Sequence, residues 1–425
     1  MTTSTARKMT WKEKAWRSLD ELVASGALRR RSVLMTGATG FLGGHFLYWW
    51  HRAGGRVVAL VRAPDECSAR QRLMLRQRAS AAAYAHVAAS ELGAITAVPG
   101  DVRLPLFGLN AVHLRALASE NIDTVWHFAA SLRFEKAHSS ELMADNVGGT
   151  RNAMATARAV GARRFVYIST AYSCGAAEGS VGEELHSLAG SFNNAYEQSK
   201  CQAEHLVMAE SASLGLQSII VRPSIVVGPS TTWRTGGSES GFYGLLERLR
   251  RLNNLPPEMA FQPIRIDGRP TAQMNLMPVD AVIRDCLNLE TADFPLNPII
   301  HSTSVGGPML CEAADVASEI LGLPPIRIGM PDGKPSQAER WLGNQLRFYR
   351  PYLHFTGQFV RSLPNPPNLE VHDLRGLVTN FARSNVPAAR TRIASASPAP
   401  AAVLDAVPDT SVSNTGLQDR CELPS

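Results

Sequence analysis

The stretch Met35-Thr-Gly-Ala-Thr-Gly-Phe-Leu-Gly43 decides the fold, because it places a glycine-spaced turn between a strand-like run (32–35) and a helix-like run (41–50). Glycines at 37, 40 and 43 allow a tight turn, the close approach of a pyrophosphate, and packing of the helix on the strand. Amide groups at the helix start then face the phosphates, and the helix dipole favours their negative charge. The sequence therefore predicts a dinucleotide site, contacted by Thr36, Gly37, Thr39, Gly40, Phe41, Leu42 and Gly43.

Further strand-like and helix-like segments alternate up to about residue 230. Strand-like runs occupy 56–61, 94–98, 124–128, 164–168 and 218–221, and helix-like segments occupy 66–92, 137–160 and 194–214. Continuous apolar runs are typical of parallel strands that helices cover on both faces. Strands that alternate with helices in this way build right-handed βαβ units. The sequence thus predicts an α/β fold with a Rossmann-type doubly wound parallel sheet.

Changes of composition along the chain indicate its domain organisation. We expect an N-terminal helical extension over 1–30, a dinucleotide-binding Rossmann domain over 31–229 that continues at 276–302, a smaller discontinuous substrate-binding lobe over 230–275 and 303–382, and a tail over 386–425. Ala, Pro, Ser, Thr and Val dominate the tail with little periodicity, so we expect it to be disordered.

Composition narrows the class of protein. The net charge is +6, but the basic residues are scattered along the 425-residue chain, so an anionic small ligand explains them without nucleic acid. The six cysteines form neither a CxxC pair nor a metal-ligand spacing, which favours reduced thiols, a cytoplasmic location and no metal. The N-terminus lacks a signal-like apolar region, and no run reaches the ~18 apolar residues of a membrane span.

The residue that ends the second strand indicates which nicotinamide cofactor is bound. An NAD-binding chain usually carries an acidic residue there to hold the adenosine ribose. This chain has Arg62, with Arg72 on the following helix, and a guanidinium suits a 2′-phosphate. We therefore predict NADPH.

Residues at the ends of later strands complete the predicted cofactor site. Asp101 and Val102 follow the third strand, where the adenine would lie. Ala129, Ala130 and Ser131 follow the fourth strand, where small residues let the backbone run flush against a nucleotide; His127 before them is interpreted as a core histidine. Pro223, Ser224 and Ile225 follow the strand at 218–221 and are expected to face the nicotinamide.

Tyr196 and Lys200 form the predicted acid–base pair, because four positions on a helix place both side chains on one face. A phenol with a pKa near 10 needs a nearby cation to take part in proton transfer at neutral pH, and we expect the Lys200 ammonium to lower that pKa. Lys200 can also reach the nicotinamide ribose. Thr170 lies at the end of a strand and can donate a hydrogen bond to a substrate carbonyl oxygen.

These motifs together resemble the extended short-chain dehydrogenase/reductase superfamily over roughly 32–305. Within it, the chain is similar to fatty acyl-CoA reductases and to the terminal thioester reductase domains of carboxylic acid reductases and of peptide or polyketide synthases, the male-sterility-type NAD-binding proteins. The matching segments are 36–43, 60–62, 127–134, 146–150, 165–171, 196–200, 222–225 and 275–280. The chain after 305 is less similar.

The resemblance implies that Thr170, Tyr196 and Lys200 are the catalytic residues and that an acyl thioester is reduced to an aldehyde or alcohol. The thirty residues before the core are too few for an adenylation domain or a carrier module. We therefore expect the acyl group to arrive on CoA or on a separate carrier protein.

Other functions fit the same motifs, since fold alone does not decide substrate. One is a sugar-nucleotide epimerase or dehydratase, or a hydroxysteroid or flavonoid-type ketone reductase. Another is a non-catalytic NADP-binding sensor or scaffold. The intact Thr-Tyr-Lys set disfavours the sensor, and Arg62 disfavours the sugar-nucleotide enzymes, which bind NAD.

Overall fold

The computed structural model describes residues 16–85, 95–132, 139–256, 263–292, 297–330 and 333–384. Its strands are β1 (Ser32–Thr36), β2 (Arg56–Val61), β3 (Ile95–Pro99), β4 (Thr124–His127), β5 (Arg164–Ile168), β6 (Ser180–Val181), β7 (Gln217–Pro223), β8 (Ile225–Val227), β9 (Ile264–Ile266), β10 (Leu276–Pro278), β11 (Ile299–Ser302), β12 (Ile326–Ile328) and β13 (Gln358–Phe359).

The helices follow in the same numbering. They are α1 (Leu19–Ala24), α2 (Phe41–Arg52), α3 (Glu66–Ala83), α4 (Ala111–Ser119), α5 (Ser139–Met143), α6 (Gly149–Ala159), α7 (Ala195–Leu214), α8 (Phe242–Arg250), α9 (Val279–Thr291), α10 (Leu310–Leu321), α11 (Gln337–Gln345), α12 (Arg350–Leu353) and α13 (Val371–Ser384). None of these helices is long and apolar enough to cross a lipid bilayer.

A parallel sheet carries the fold, with the strand order β3-β2-β1-β4-β5-β7-β11 in the described residues. The chain winds outward from β1 to β3 and then crosses back to β4 on the other side of β1. Open α/β sheets bind their ligands where the winding direction reverses, at the carboxyl ends of the strands. The predicted Rossmann-type sheet is confirmed, and its switch point lies between β1 and β4.

Side chains of the sheet alternate between two apolar layers, because successive residues of a strand point to opposite faces. Leu34 packs in one layer with Val125 and Phe165, whereas Met35 packs in the other with Trp126. Both layers are buried beneath helices, which explains the continuous apolar runs in the sequence. We call the central sheet and its flanking helices the sheet half.

A third apolar core is formed by residues between 227 and 381. It joins α8, α10, α11 and α13 to the short parallel pairs β8·β10 and β9·β12. We call the described residues from 227 to 381 that lie outside the central sheet and its flanking helices the lobe. The exact boundaries that composition indicates for a substrate-binding lobe remain a prediction.

The structure differs from the sequence prediction in three helices. The helix predicted over 137–160 is interrupted by a π-turn at 144–148, which separates α5 from α6. The helix predicted over 66–92 ends at 83, and 86–92 lie outside the described residues. The extension predicted over 1–30 is described only from residue 16, and α1 is the helix that this part contains. The helix ends at Ala24, and Gly26 after it has a left-handed φ of 57°. The tail over 386–425 lies wholly outside the described residues.

Candidate active site

The glycine turn after β1 forms a cradle that side chains would fill. Gly37 has a φ of 73°, and a Cβ atom there would lie 2.6 Å from the backbone nitrogen of Ala129. A Cβ atom on Gly43 would lie 2.3 Å from the carbonyl oxygen of Gly37. Gly40 precedes α2 and supplies no side-chain cap to it. The first amides of α2 therefore keep their donors for a ligand, as a pyrophosphate requires.

Two buried side chains tie the strands together at the switch point. Thr36 Oγ1 lies 2.8 Å from His127 Nδ1 and accepts a hydrogen bond of 3.2 Å from the Ala129 amide. Burial lowers the pKa of His127 to about 3, with the charge of Lys200 acting in the same direction. His127 is therefore neutral at physiological pH and serves as a structural tie, as its interpretation as a core histidine implies.

The predicted adenosine residues lie together beyond the ends of β2 and β3. Arg62 is exposed, and the Arg72 guanidinium donates to its carbonyl oxygen. The Asp101 carboxylate is held by Arg103 through Nε at 3.0 Å and Nη2 at 2.5 Å. That contact, with a smaller contribution from Arg62, lowers the pKa of Asp101. The carboxylate at this edge is thus already paired, which leaves the charge of Arg62 for an anion.

One cavity of about 350 Å³ joins the glycine turn to the predicted catalytic residues. The predicted site residues that line it are Gly37, Gly40, Phe41, Leu42, Gly43, Ala130, Thr170, Tyr196, Lys200, Pro223, Ser224 and Ile225. The predicted residues that do not line it are Thr36, Thr39, Arg62, Arg72, Asp101, Val102, Ala129 and Ser131. The cavity therefore brings together most of the residues expected around the pyrophosphate and the nicotinamide, and none of the four predicted adenosine residues, Arg62, Arg72, Asp101 and Val102.

Thr170 and Lys200 are held by the end of β5. Thr170 is buried, and its Oγ1 accepts a hydrogen bond of 3.3 Å from the Tyr172 amide. Lys200 is also buried, and its ammonium donates to the Ile168 carbonyl at 2.5 Å. It lies 4.3 Å from the centre of the Tyr167 ring. Lys200 thus links α7, which carries Tyr196, to the strand end that carries Thr170.

The prediction that the pKa of Tyr196 is lowered is wrong. Burial raises the pKa of Tyr196, and the neighbouring Glu197 carboxylate raises it further. Burial also lowers the pKa of Lys200 to about 7, against the opposing charge of Glu204. Desolvation therefore outweighs the pairing of phenol and ammonium that helical spacing indicates.

Asn146 connects the cofactor side of the cavity to α7, and sequence reasoning missed this role. Asn146 lies in the π-turn at 144–148, and its side-chain oxygen Oδ1 accepts a hydrogen bond of 2.7 Å from the Ser131 backbone nitrogen. Its Nδ2 donates to Ser199 Oγ at 2.8 Å, and that hydroxyl donates to the Tyr196 carbonyl at 2.7 Å. The sequence feature that could have indicated this role is a polar residue, Asn146, followed by two glycines, Gly148 and Gly149, inside a predicted helix.

Glu197 and Tyr352 connect the sheet half to the lobe next to Tyr196. Glu197 is fully buried, and it accepts hydrogen bonds from the Tyr352 hydroxyl at 2.5 Å and the Asn193 amide at 2.9 Å. The Tyr352 hydroxyl in turn accepts from Asn194 Nδ2 at 2.8 Å. Burial raises the pKa of Glu197. These residues are 155 positions apart, so no local pattern could have indicated the contact.

The two sides of the cavity differ in polarity. The sheet half contributes Ser169 and Ser224, whose buried hydroxyls have no hydrogen-bond partner in the described residues. Buried polar groups normally have a partner, so these hydroxyls fit the polar edge of a bound cofactor or substrate. The lobe contributes a wall made mainly of hydrocarbon: Phe242, Leu245, Met274, Leu310, Phe348, Tyr349, Tyr352, Leu353 and Phe355. Within the described residues, no group of three or more His, Cys, Asp or Glu side chains is arranged to hold a metal ion.

The chain is similar to several known proteins. A family model described as male sterility protein, which is NAD-binding, matches residues 35–286. Peramine synthetase A of Epichloe festucae is 33% identical over 208 residues, which are 48% of this chain and 7% of that protein. The L-2-aminoadipate reductase large subunit of Penicillium chrysogenum is 30% identical over 273 residues, which are 60% of this chain and 18% of that protein.

A shorter relative and a solved structure extend the comparison. Probable fatty acyl-CoA reductase 5 of Arabidopsis thaliana is 30% identical over 170 residues, covering 37% of this chain and 34% of that protein. The terminal R domain from the myxalamid PKS-NRPS biosynthetic pathway superposes with a TM-score of 0.66 at 24% identity, covering 83% of this chain and 91% of that one. The chain spans about a third or less of the length of these three relatives, and the solved structure shows the likeness of fold.

Proposed function

Because this chain belongs to the NAD-binding male sterility protein family, within the extended short-chain dehydrogenase/reductases, we propose that it reduces acyl thioesters with NADPH. One observation carries the proposal: a single cavity is bounded by the glycine turn, by Thr170, Tyr196 and Lys200, and by the apolar wall of the lobe. A dinucleotide, a polarised carbonyl and a hydrocarbon chain would each meet suitable groups there.

Thr170 and Tyr196 would act on the carbonyl oxygen of the substrate. A bound reduced nicotinamide supplies the hydride for the carbonyl carbon. Thr170 Oγ1 already accepts from the Tyr172 amide, so its own hydrogen can be donated to the oxygen on which charge develops. Tyr196 transfers a proton to that oxygen. The hemithioacetal then releases its thiol to leave an aldehyde, and a second round of reduction gives the alcohol.

Tyr196 and Lys200 would have different roles: the phenol donates the proton, and the ammonium stabilises the anion that is left. The raised pKa of Tyr196 keeps the phenol protonated at neutral pH, which is the form that a proton donor requires. The charged form of Lys200 places a positive charge one helical turn away, and that charge favours the anion left after proton transfer. That effect would pull the pKa of Tyr196 down, against the larger opposite effects of burial and of Glu197.

The choice of NADPH is supported by the charges at the ends of β2 and β3. Arg62 is exposed there, and Arg72 packs against its carbonyl. Asp101 is paired with Arg103, so its charge is largely offset. A 2′-phosphate would therefore meet a net positive edge.

The thioester would arrive on CoA or on a carrier protein in trans. The name of the Arabidopsis relative, fatty acyl-CoA reductase, gives the substrate class. The apolar wall of the lobe suits its hydrocarbon part. We further propose a cytoplasmic setting, since the described cysteines are all free thiols: Cys67, Cys174, Cys201, Cys286 and Cys311.

A substrate panel tests the activity. The full chain is incubated with NADPH and with acyl-CoA, acyl-carrier protein, aldehyde, ketone and sugar-nucleotide substrates, while the absorbance of reduced nicotinamide is followed. Oxidation with the thioesters is expected. Oxidation with ketones or sugar nucleotides alone would assign the chain to one of those enzyme classes instead.

A charge reversal tests the cofactor. Arg62→Asp should lower kcat/KM for NADPH at least tenfold more than for NADH, since a carboxylate repels the 2′-phosphate. Arg70→Asp, an exposed charge reversal on α3, is the matched control and should leave the preference as it is. An unchanged preference in Arg62→Asp would contradict the phosphate contact.

A further inference from the structure

A second, partly open cavity of about 30 Å³ is lined by residues of the lobe and shares part of the apolar wall of the active-site cavity. Its lining consists only of hydrocarbon and thioether side chains. Five of them also line the active-site cavity, namely Phe242, Leu245, Met274, Leu310 and Leu353. The wall between the two spaces is therefore a single layer of side chains.

The far side of the small cavity is formed by one stripe of α10. Ala313, Ala314 and Ala317 line it together with Leu310, at the spacing that places residues on one helix face. Ala314 and Ala317 are buried, so their short side chains leave space that neighbouring groups do not fill. A space lined entirely by apolar groups offers water no hydrogen bonds, and its lining lacks packing contacts.

Hydrocarbon is the one chemistry that this space accepts without cost. A polar group placed there would lose its hydrogen bonds to water and gain none. The last one or two carbons of a hydrocarbon chain would fill the space and regain the missing contacts. Burying one methylene favours binding roughly fourfold.

We propose that the small cavity receives the far end of an unbranched, saturated acyl chain and thereby sets the chain length that the enzyme prefers. Flexible wall side chains such as Met274 and Leu245 turn aside to connect the two spaces. This inference rests on the proposed function, because it takes the alkyl chain to belong to the thioester substrate. It adds α10 and α8 as the elements that determine specificity.

Ala317→Val fills the small cavity, and Ala338→Val is its matched control, because Ala338 is buried in the same core but lines neither cavity. Values of kcat/KM are measured with NADPH and saturated acyl-CoA substrates from butanoyl to hexadecanoyl. In Ala317→Val the preferred chain should be about two carbons shorter than in the wild type, because Val adds two carbons to the lining. If Ala317→Val prefers the same chain length as the wild type, or if Ala338→Val shows an equal shift, the inference is overturned. Ala313→Val, at a partly exposed position of the same stripe, replaces Ala317→Val if that variant does not fold.

A binding measurement separates this inference from the proposed function. Saturated n-alkanols from hexanol to tetradecanol are added without cofactor, and the shift in melting temperature is recorded. The longer alkanols should stabilise the wild type and Ala338→Val more than Ala317→Val. If that difference is found but no thioester is reduced, the alkyl site stands and the thioester reductase proposal falls. If thioesters are reduced but all three proteins respond alike to chain length, the reductase proposal stands and the alkyl site falls.

Discussion

The sheet half and the lobe line the same cavity, but they differ in polarity: the sheet half contains buried polar and charged groups, and the lobe presents mainly hydrocarbon. On the sheet side, Lys200 is buried with its charge, and Arg222 forms a fully buried ion pair with Glu204 at 2.6 Å. On the lobe side, residues such as Phe242 and Leu310 offer only hydrocarbon surface. Buried charges are stable only with well-placed partners, so the sheet side has little freedom to change. An apolar wall tolerates the exchange of one hydrocarbon side chain for another of similar volume at lower cost.

This difference predicts a division of effects. Substitutions on the sheet side should reduce the rate of the chemical step or the affinity for the cofactor. Substitutions on the lobe side should change the affinity for the acyl group and leave the chemical step nearly intact. Four variants probe this division, from the largest expected effect to the smallest.

Tyr196→Phe should lower kcat/KM about a thousandfold, because it removes the proton donor and keeps the ring. The dissociation constant for NADPH, measured by nucleotide fluorescence, should change less than twofold. Tyr172→Phe is the control, since Tyr172 lines the same cavity but packs on aromatic residues of the chain following α12. Comparable losses in the two variants would contradict the role of Tyr196.

Gly37→Ala should weaken NADPH binding about a hundredfold, because its Cβ atom would lie 2.6 Å from the Ala129 nitrogen and displace the cradle. Gly161→Ala is the control: Gly161 also has a positive φ, of 78°, but a Cβ atom there meets nothing within 4 Å. Both variants should melt at lower temperature, from about 1–2 kcal/mol of left-handed strain. A similar loss of affinity in both would mean that strain, and not the cradle, is responsible.

The activity should fall as the pH rises through about 7, because burial lowers the pKa of Lys200 to about 7 and the ammonium is the active form. Above that pH, kcat/KM should decrease up to tenfold per pH unit, since kcat/KM reports ionisation in the free enzyme. Lys200→Arg keeps its charge throughout and should give a lower but flatter profile. A flat wild-type profile between about pH 6 and 9 would exclude Lys200 as the titrating group.

Tyr352→Phe should raise KM for the thioester several-fold and leave kcat within about twofold, because it acts from the lobe. It removes the hydroxyl that donates to the buried Glu197, at a cost of about 1–3 kcal/mol. The melting temperature should therefore fall by a few degrees. Tyr349→Phe alters another tyrosine of the same wall and is the control. A loss confined to kcat would place Tyr352 with the chemistry of the sheet half.

The sheet half could be predicted because its features are local in sequence. Two such features are the glycine turn between strand and helix and the Tyr-Lys pair at helical spacing. Each occupies only a few residues, and the spacing of those residues determines their relative positions. The strands at 56–61 and 164–168 were located by their apolar runs, and the structure has them at the same residues.

The features that could not be predicted depend on contacts between distant residues. The short strands β9 and β12 pair with each other across sixty residues, and three-residue strands leave no periodic pattern. The same holds for the Glu197–Tyr352 bond and for the apolar wall. The raised pKa of Tyr196 could not be predicted for a related reason: spacing shows which charges are neighbours, but burial is a property of the whole fold.

The π-turn at 144–148 has a consequence for how the chain tolerates insertions and deletions. A π-turn is equivalent to one residue inserted into an α-helix, so it rotates everything after it by about 100° relative to everything before it. Deleting one residue there would restore a regular helix and swing Asn146 away from both Ser131 and Ser199. The loop beside the cofactor and the helix that carries Tyr196 would then lose their shared anchor, although every residue usually assigned a role in such a site would still be present.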